Sequence, residues 1–492
     1  MPEASILCAM MPALLRKLAP TTCLTVFFLL LVAAKFLAPL VLFDLPLGYD
    51  PGIYRYLFVR HALGFPPFVL APMDSWAYAH PLGLFFFSSI LMRLGVPADW
   101  LIGWIWNAMT IVLLCALSVV TAKREGRAVG ACVLLMGALS APYYDGFSAM
   151  YWKTYLALFF MILAFHFLQR RSWWALLPAI LCLVTHNQTG LLFALVTGTW
   201  WFLRMLQHWR DPRWQRATGI GLLLVLVAAI VYLPVWQEAI VPHLKKILTL
   251  RGDDAPSGSF PSPVFYLRMN AVVLFCGAYG FVRILLRDRH LSLWSLAVLW
   301  SAAFVCFRLY FYLRFFLLLD FFLLPFAAYG VVDVWKKNTH ILWHAFLVLL
   351  FILQAYLSLQ VFAMRTVDID AETFQIVRSV SHVQLPEHAL VMTLENKSTT
   401  WLRGWLTDYR VMGPGIFGMK WLDYDKWVEV IYGSHEERVH LLKEITRIAR
   451  GPVYFLITPL FFDFYGDAAE TFLQDPCFRQ LSGYPLLEVT CT

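Results

Sequence analysis

Charged residues are scarce in this chain. Only 14% of its 492 residues are Asp, Glu, Lys or Arg and 60% are hydrophobic, against about 25% and about 45–50% in an ordinary soluble protein. With a mean hydropathy of +0.66, this composition excludes a soluble enzyme, and length has to be read as membrane topology rather than as a count of globular domains. Heptads, internal repeats and low-complexity tracts are absent. Cysteine is sparse and lacks ligand spacing: none of the nine belongs to a CxxC pair or lies by a His-x₃-His arrangement, which argues against zinc. A net charge of +8 would suggest nucleic acid as partner in a soluble protein; here the placement of the cations matters instead, and no nucleic acid is expected.

What is abundant is apolar runs of bilayer-crossing length, about 17–25 residues. Eleven are read as spans: 23–43, 100–121, 128–142, 151–168, 173–187, 189–206, 218–236, 264–282, 291–307, 313–332 and 341–361. Compact basic groups alternate with them: Arg16 and Lys17; Lys123, Arg124 and Arg127; Arg170 and Arg171; Arg204, Arg210, Arg213 and Arg216; Arg283, Arg287 and Arg289; Lys336 and Lys337. Cations in short loops stay in the cytoplasm, so these six segments and the N-terminus are expected inside, in the cell's inner (cytoplasmic) membrane. An odd number of spans then places the C-terminus outside. The first run exceeds a signal-peptide core and is read as an uncleaved anchor. The 80–94 segment is kept out of the count, because as a span it would invert every later loop; 44–99 is read as an outer loop with two interfacial helices.

The chain is therefore expected to be an α-helical polytopic membrane protein of about eleven transmembrane helices over 1–362, followed by a small α/β or α+β extracytoplasmic domain over 363–492. The tail carries 12 Lys+Arg and 17 Asp+Glu. Ala389–Leu394 and Pro452–Ile457 read as buried strands, and Glu436–Ala449 as a helix. Cys477 and Cys491, the two tail cysteines, are expected to form a disulfide in an oxidising compartment.

The candidate chemistry lies on the outer face. Asp50 follows the first span by a few residues, where a carboxylate meets a lipid headgroup and a soluble acceptor together; followed by Pro51, it equally suits a helix N-cap. Asp44 and Asp145 are further outer acids. Arg55, Arg60, Lys153, His186, Arg308 and Arg314 are candidate phosphate ligands, with Lys245, Lys246, Arg251 and Arg268 further outer cations and Asp74 and His80 weaker candidates. For Arg308 and Arg314 the competing role is headgroup anchoring; for Lys153 and His186 it is snorkelling and structural hydrogen bonding. Lys35 and Asp320 lie at similar depth, about 10–12 Å from the outer helix ends at 1.5 Å per residue, so they suit a buried pair or a polar path. Trp401, Trp405, Trp421 and Trp427 either stack sugars or fill the tail's core.

The first span leading to an acid, two interfacial helices with His80-Pro81-Leu82 opening the second, and a helix returning to a basic turn together resemble the GT-C class of membrane glycosyltransferases. That class includes protein O-mannosyltransferases, the aminoarabinose transferases of lipid A and oligosaccharyltransferases. The resemblance covers roughly residues 15–335. Tyr143-Tyr144-Asp145 falls where the class often has a second acid, and Thr185-His186-Asn187-Gln188-Thr189-Gly190 where it often has Thr-Lys-Gly or His-Pro-His. Leu313-Arg314-Phe315-Phe316 ahead of Pro325 is similar to Arg-Tyr-x-x-x-x-Pro. Two departures stand out: the Asp-Glu pair of the class is here Asp50-Pro51, and the tail lacks Trp-Trp-Asp, which disfavours transfer to asparagine.

The resemblance implies a hexosyl- or pentosyltransferase taking its sugar from a polyprenyl-phosphate carrier in the membrane lipid and passing it to an unidentified acceptor in glycan biosynthesis of the cell envelope. Asp50 is then the base, Asp145 its helper, and inversion at the anomeric carbon is expected. No cofactor is expected; a divalent cation held by Asp44, Asp50 and Asp145 is not favoured. The alternatives are a flippase of lipid-linked sugars, which calls for repeats or broken helices, and a non-catalytic scaffold displaying the tail.

Overall fold

The computed structural model describes residues 20–492 except 44, 65–79, 149, 209–211, 234–235, 238–240, 249–261, 339, 416–420 and 492. Asp44, Asp74, Arg16, Lys17, Arg210 and Arg251 thus lie outside the described residues. All eleven apolar runs contain helix. Among the described residues six helices are long and apolar enough to cross a bilayer: Thr21–Leu42, Ala98–Glu125, Trp152–Gln169, Asn187–Leu206, Tyr312–Lys337 and Ile341–Ala363. Pro263–Met269 and Ala271–Asp288, bent by 82° at Asn270, make a seventh as one broken span. Arg127–Leu139, Trp173–Thr185, Thr218–Val227 and Leu293–Cys306 are shorter apolar helices.

The chain divides into two compact units: Met1–Pro39 with Asp74–Leu84 and Trp104–Arg365, and Leu40–Met73 with Phe85–Gly103 and Thr366–Thr492. The expected boundary at 362/363 falls at 365/366, while most of the loop 44–99 groups with the tail. The two helices expected in that loop are Pro51–Leu63 and Gly83–Arg93.

In the helical unit the basic loop clusters do not stand alone. Arg287 forms a two-pronged ion pair with Glu125 at 2.8 and 3.0 Å, Arg124 and Arg287 both meet Asp288, and Arg283 and Lys337 meet Asp333. The sidedness rule counts only the cations; the acids that neutralise them sit at the same helix ends.

Deeper in this unit, helix breaks at Ser140 and Asn270 expose backbone groups that have no intrahelical partner. Buried side chains meet them. Lys35 Nζ donates to the Ala138 and Ser140 carbonyls at 2.7 and 2.8 Å, and Gln354 Nε2 donates to the Leu139 and Met269 carbonyls at 3.1 and 2.9 Å. Asp320 accepts from the Ser140 hydroxyl and, at 2.5 Å, from Asn270 Nδ2, while Asn270 Oδ1 accepts the Ala141 amide. Lys35 and Asp320 are therefore joined through Ser140 rather than by a direct contact.

The second unit contains a five-stranded mixed sheet. Its strands are β1 (Leu390–Thr393), β2 (Arg410–Met412), β3 (Val453–Leu456), β4 (Phe478–Gln480) and β5 (Leu486–Val489), in the order β2-β1-β3-β5-β4. β1 pairs in parallel with β2 and β3; β5 runs antiparallel to β3 and β4. Every residue of β1 and β3 is buried, as expected of parallel strands covered on both faces, and their apolar runs are the two read as strands in the sequence. The helix His435–Ala449 begins with a reciprocal Ser434–Glu437 capping box. Cys477 and Cys491 are disulfide-bonded, closing the C-terminal hairpin.

Arg438 and Asp475 form a buried pair at 2.6 Å, and Arg438 also donates to the Val430, Ile431 and Gly433 carbonyls. Burial by itself would raise the Asp475 pKa, but the Cys477 amide, His435 and Arg438 together hold it below the usual carboxylate range. A depressed carboxylate adds stability above its unfolded pKa, about 3.9, and that contribution is lost as pH falls through the folded value. Removing one partner leaves an uncompensated buried charge, which costs about 3–5 kcal/mol. In the full-length protein Arg438→Met is expected to raise hydrogen exchange across β3 and β5 at pH 7 by about two orders of magnitude, and by less at acid pH, where Asp475 is protonated. Equal exchange in variant and wild type at pH 7 would contradict this.

Candidate functional site

Asp50 occupies the N-cap position of the helix Pro51–Leu63, but its side chain makes no capping hydrogen bond to that helix. The capping role suggested by Asp50-Pro51 is therefore met by position only. Proline at the first helical turn supplies the preset φ that starts the helix there, which fixes where the Asp50 backbone ends up.

Around Asp50 the second unit gathers groups that lie some 350 residues away in sequence. The Tyr49 hydroxyl donates to the Asn396 carbonyl at 3.3 Å, and the Thr400 hydroxyl reaches the Tyr49 carbonyl at 3.1 Å. The Tyr49 phenol is pushed up to about 12, first by burial and then by the carboxylates of Asp50, Glu395 and Asp368. Glu395 and Asp368 are themselves raised by burial, an effect that Lys397 opposes at both and the Ser398 hydrogen bonds oppose at Glu395. Asp50 thus stands at the edge of an anionic group. Sequence reasoning missed Glu395, Asp368 and Thr400, because nothing local links them to Asp50.

Arg55, expected on substrate phosphate, is committed elsewhere. Its Nε meets Asp99 at 2.6 Å, its Nη1 donates to the Gly404 carbonyl at 2.5 Å, and its guanidinium lies 4.9 Å from the Trp405 ring centre. Arg60 lies in the last turn of the same helix, so ten residues at 1.5 Å place it about 15 Å along the axis from Asp50. Trp401, Trp405 and Trp427 are buried; of the four tryptophans weighed as sugar platforms, these three belong to the core. Trp421 is half-buried beneath Lys426.

In the helical unit, Asp145 is a position in the short helix Ala141–Ser148, and its side chain lies outside the described atoms. That helix turns back on itself, with the Tyr151 amide donating to the Gly146 carbonyl at 2.9 Å. Arg314 lies 5.6 Å from the Tyr151 ring centre and its Nη1 reaches Gln188 Oε1 at 3.4 Å. His186, buried in the break between Leu176–Thr185 and Asn187–His208, bonds through Nδ1 to the Thr189 hydroxyl at 2.9 Å, with Thr154 next to the ring. Lys153 Nζ is 2.8 Å from His80 Nδ1. The fold therefore links Arg314 to the His186 turn through Gln188, and sets Lys153 beside Thr154 on the same helix. Arg308 is exposed in the turn before Tyr312–Lys337, with a left-handed backbone at φ 50°. Among the described residues one His/Cys/Asp/Glu group is close enough to share an ion, His435, Asp475 and Cys477, and its cysteine is in the disulfide.

No protein-family model matches the sequence, and no curated protein does. Solved structures do. The archaeal oligosaccharyltransferase AglB from Archaeoglobus fulgidus, in complex with an inhibitory peptide and a dolichol-phosphate, superposes with a TM-score of 0.60 at 10% identity, covering 92% of this chain and 71% of that one. ArnT from Cupriavidus metallidurans matches with a TM-score of 0.57 at 14% identity in the apo state, and 0.56 at 13% bound to undecaprenyl phosphate; both cover 96% of this chain and 99% of that one. Both are GT-C membrane glycosyltransferases. The chain has a GT-C fold. At these identities the likeness establishes architecture, and the GT-C fold accounts for a multi-pass helical unit and a small C-terminal sheet in one chain.

The Arg55 clamp generates a stability expectation. A charged donor on a buried carbonyl contributes about 1.5–3 kcal/mol, and the half-exposed Asp99 adds little. Arg55→Ala is expected to lower stability by about 2 kcal/mol and the thermal midpoint in detergent by a few degrees. Arg55→Lys should not restore it, because a point ammonium cannot serve two acceptors and a ring together. An unchanged midpoint in Arg55→Ala would show that the clamp is idle.

Proposed function

We propose that the protein transfers a hexose or pentose from a polyprenyl-phosphate donor to an acceptor on the extracytoplasmic face of the inner membrane, with Asp50 as the general base. The observation that carries the reading is the GT-C fold, shared with an oligosaccharyltransferase solved with dolichol-phosphate and with ArnT solved with undecaprenyl phosphate; Asp50 stands in it at the N-cap position of Pro51–Leu63.

In the proposed reaction an acceptor hydroxyl oxygen attacks the anomeric carbon and Asp50 takes its proton. The bond from that carbon to the phosphate oxygen breaks, and the polyprenyl phosphate departs with the electron pair. One displacement gives inversion. Asp145 orients the acceptor. Lys153, His186, Arg308 and Arg314 supply cationic or hydrogen-bonding contacts to the departing phosphate, and Arg60 remains a further candidate. Arg55 is assigned to holding the helix that follows Asp50.

A flippase reading draws on one observation, the 82° bend at Asn270, because broken helices build transporter sites. Here Gln354 and Asp320 seal that break, which favours a fixed scaffold over a moving gate.

Mass spectrometry of lipid co-purifying with the protein is expected to find a polyprenyl-phosphate sugar. Turnover of that lipid should fall by about 10²–10⁴-fold in Asp50→Asn, the range for a lost general base, with expression and circular dichroism unchanged. Near-wild-type turnover in the variant would remove Asp50 as the base.

A further inference from the structure

The base proposed above sits on a segment that the C-terminal chain holds in place. We infer that Thr400, together with the crossing of Gly52 and Gly404, positions Asp50, so that the helix Asn396–Trp405 is part of the catalytic machinery rather than only of the tail's core. The inference rests on the reading of Asp50 as base.

Asp50 stands at the N-cap position of Pro51–Leu63 without a side-chain capping hydrogen bond. Its place depends on the Tyr49 peptide before it and the first turn after it, and Asn396–Trp405 grips both. Thr400, fully buried, shares its one hydroxyl proton between the Tyr49 carbonyl at 3.1 Å and the Lys397 carbonyl at 2.8 Å, so it ties the Tyr49 peptide to its own helix; the Asn396 carbonyl accepts the Tyr49 hydroxyl. In the first turn, backbone meets backbone. A Cβ at Gly52 would lie 1.9 Å from the Thr400 carbonyl oxygen, and one at Gly404 would lie 2.5 Å from the Gly52 Cα. Only glycine at both positions permits this approach. Arg55, one turn on, closes the grip on the Gly404 carbonyl.

The gripping helix is itself anchored to the sheet. Glu395 caps it by accepting the Ser398 amide, and the Thr399 hydroxyl bonds to the Glu395 carbonyl and to Thr393 at the end of β1. A short rigid path therefore leads from β1 through Thr399 and Thr400 to the Asp50 backbone. Such a path bears on the chemistry because a base works only within hydrogen-bond reach, about 2.6–3.2 Å, of the proton it takes, and a misplacement of about 1 Å costs up to 10²-fold. Thr400 acts through Tyr49 and Asp50, as a positioning residue.

The test uses the full-length protein in lipid nanodiscs, with Thr400→Val, Thr400→Ser, Gly404→Ala and Asp50→Asn compared by hydrogen exchange and by turnover of the co-purified donor lipid. Thr400→Val keeps the shape and loses the hydroxyl. It is expected to speed exchange at the Gly52, Ile53 and Tyr54 amides at least tenfold while β3 stays at wild-type protection, and to lower kcat at least tenfold with KM for the donor within twofold. Gly404→Ala should do the same, and Thr400→Ser should restore both readouts. Two results would overturn the inference while sparing Asp50: Thr400→Val and Gly404→Ala with wild-type exchange and turnover beside an inactive Asp50→Asn, or Thr400→Val losing protection across β3 as well. An active Asp50→Asn would instead overturn the base assignment, and this inference with it.

Discussion

A backbone amide or carbonyl without a partner costs several kcal/mol inside a bilayer, which is why spanning segments are helices and why a break in one has to be sealed by side chains. This chain breaks its helices in the membrane-rich unit at Ser140, His186 and Asn270, and polar side chains meet each of these breaks. Lys35, Gln354, Asp320 and Asn270 satisfy the first and third breaks, and Thr189 and Thr154 attend the second. The scarcity of charge is thus a scarcity with an address. What is spent in the apolar interior holds the turns that precede or contain the candidate residues Asp145 and His186.

Much of the architecture could be read from the sequence because it is carried by local period and length. The apolar runs are helices, the two buried runs of the tail are β1 and β3, and the 51–62 and 82–94 segments are short helices, since each needs only its own residues to declare itself. Helix length was less legible: Arg127–Leu139 and Leu293–Cys306 lie in long apolar runs but are short as helices, and hydropathy does not see where a helix ends. The basic clusters were legible as cations of short loops, but not their pairing across helices with Glu125, Asp288 and Asp333.

The site was legible only in part. Asp50 stands out as a candidate in the sequence because it is close to the first span. Its surroundings could not, because Thr400, Glu395 and Asp368 come from the far end of the chain and enter only through the packing of Pro51–Leu63 on Asn396–Trp405. Arg55 carried the right charge for phosphate, yet Asp99, Gly404 and Trp405, which occupy it, are invisible to a local reading. The tryptophans that suggested sugar stacking are large apolar groups first, and three of the four are in the core.

The central claim is that the protein breaks the sugar–phosphate bond of a lipid carrier on the side where the tail lies, rather than moving the intact carrier across the membrane. Proteoliposomes with the protein in a single orientation test it most directly, with the co-purified polyprenyl-phosphate sugar placed in one leaflet at a time. The account predicts release of polyprenyl phosphate only when the donor is in the leaflet on the tail's side, with no appearance of intact donor in the other leaflet. Intact donor crossing between leaflets without release of polyprenyl phosphate would contradict it.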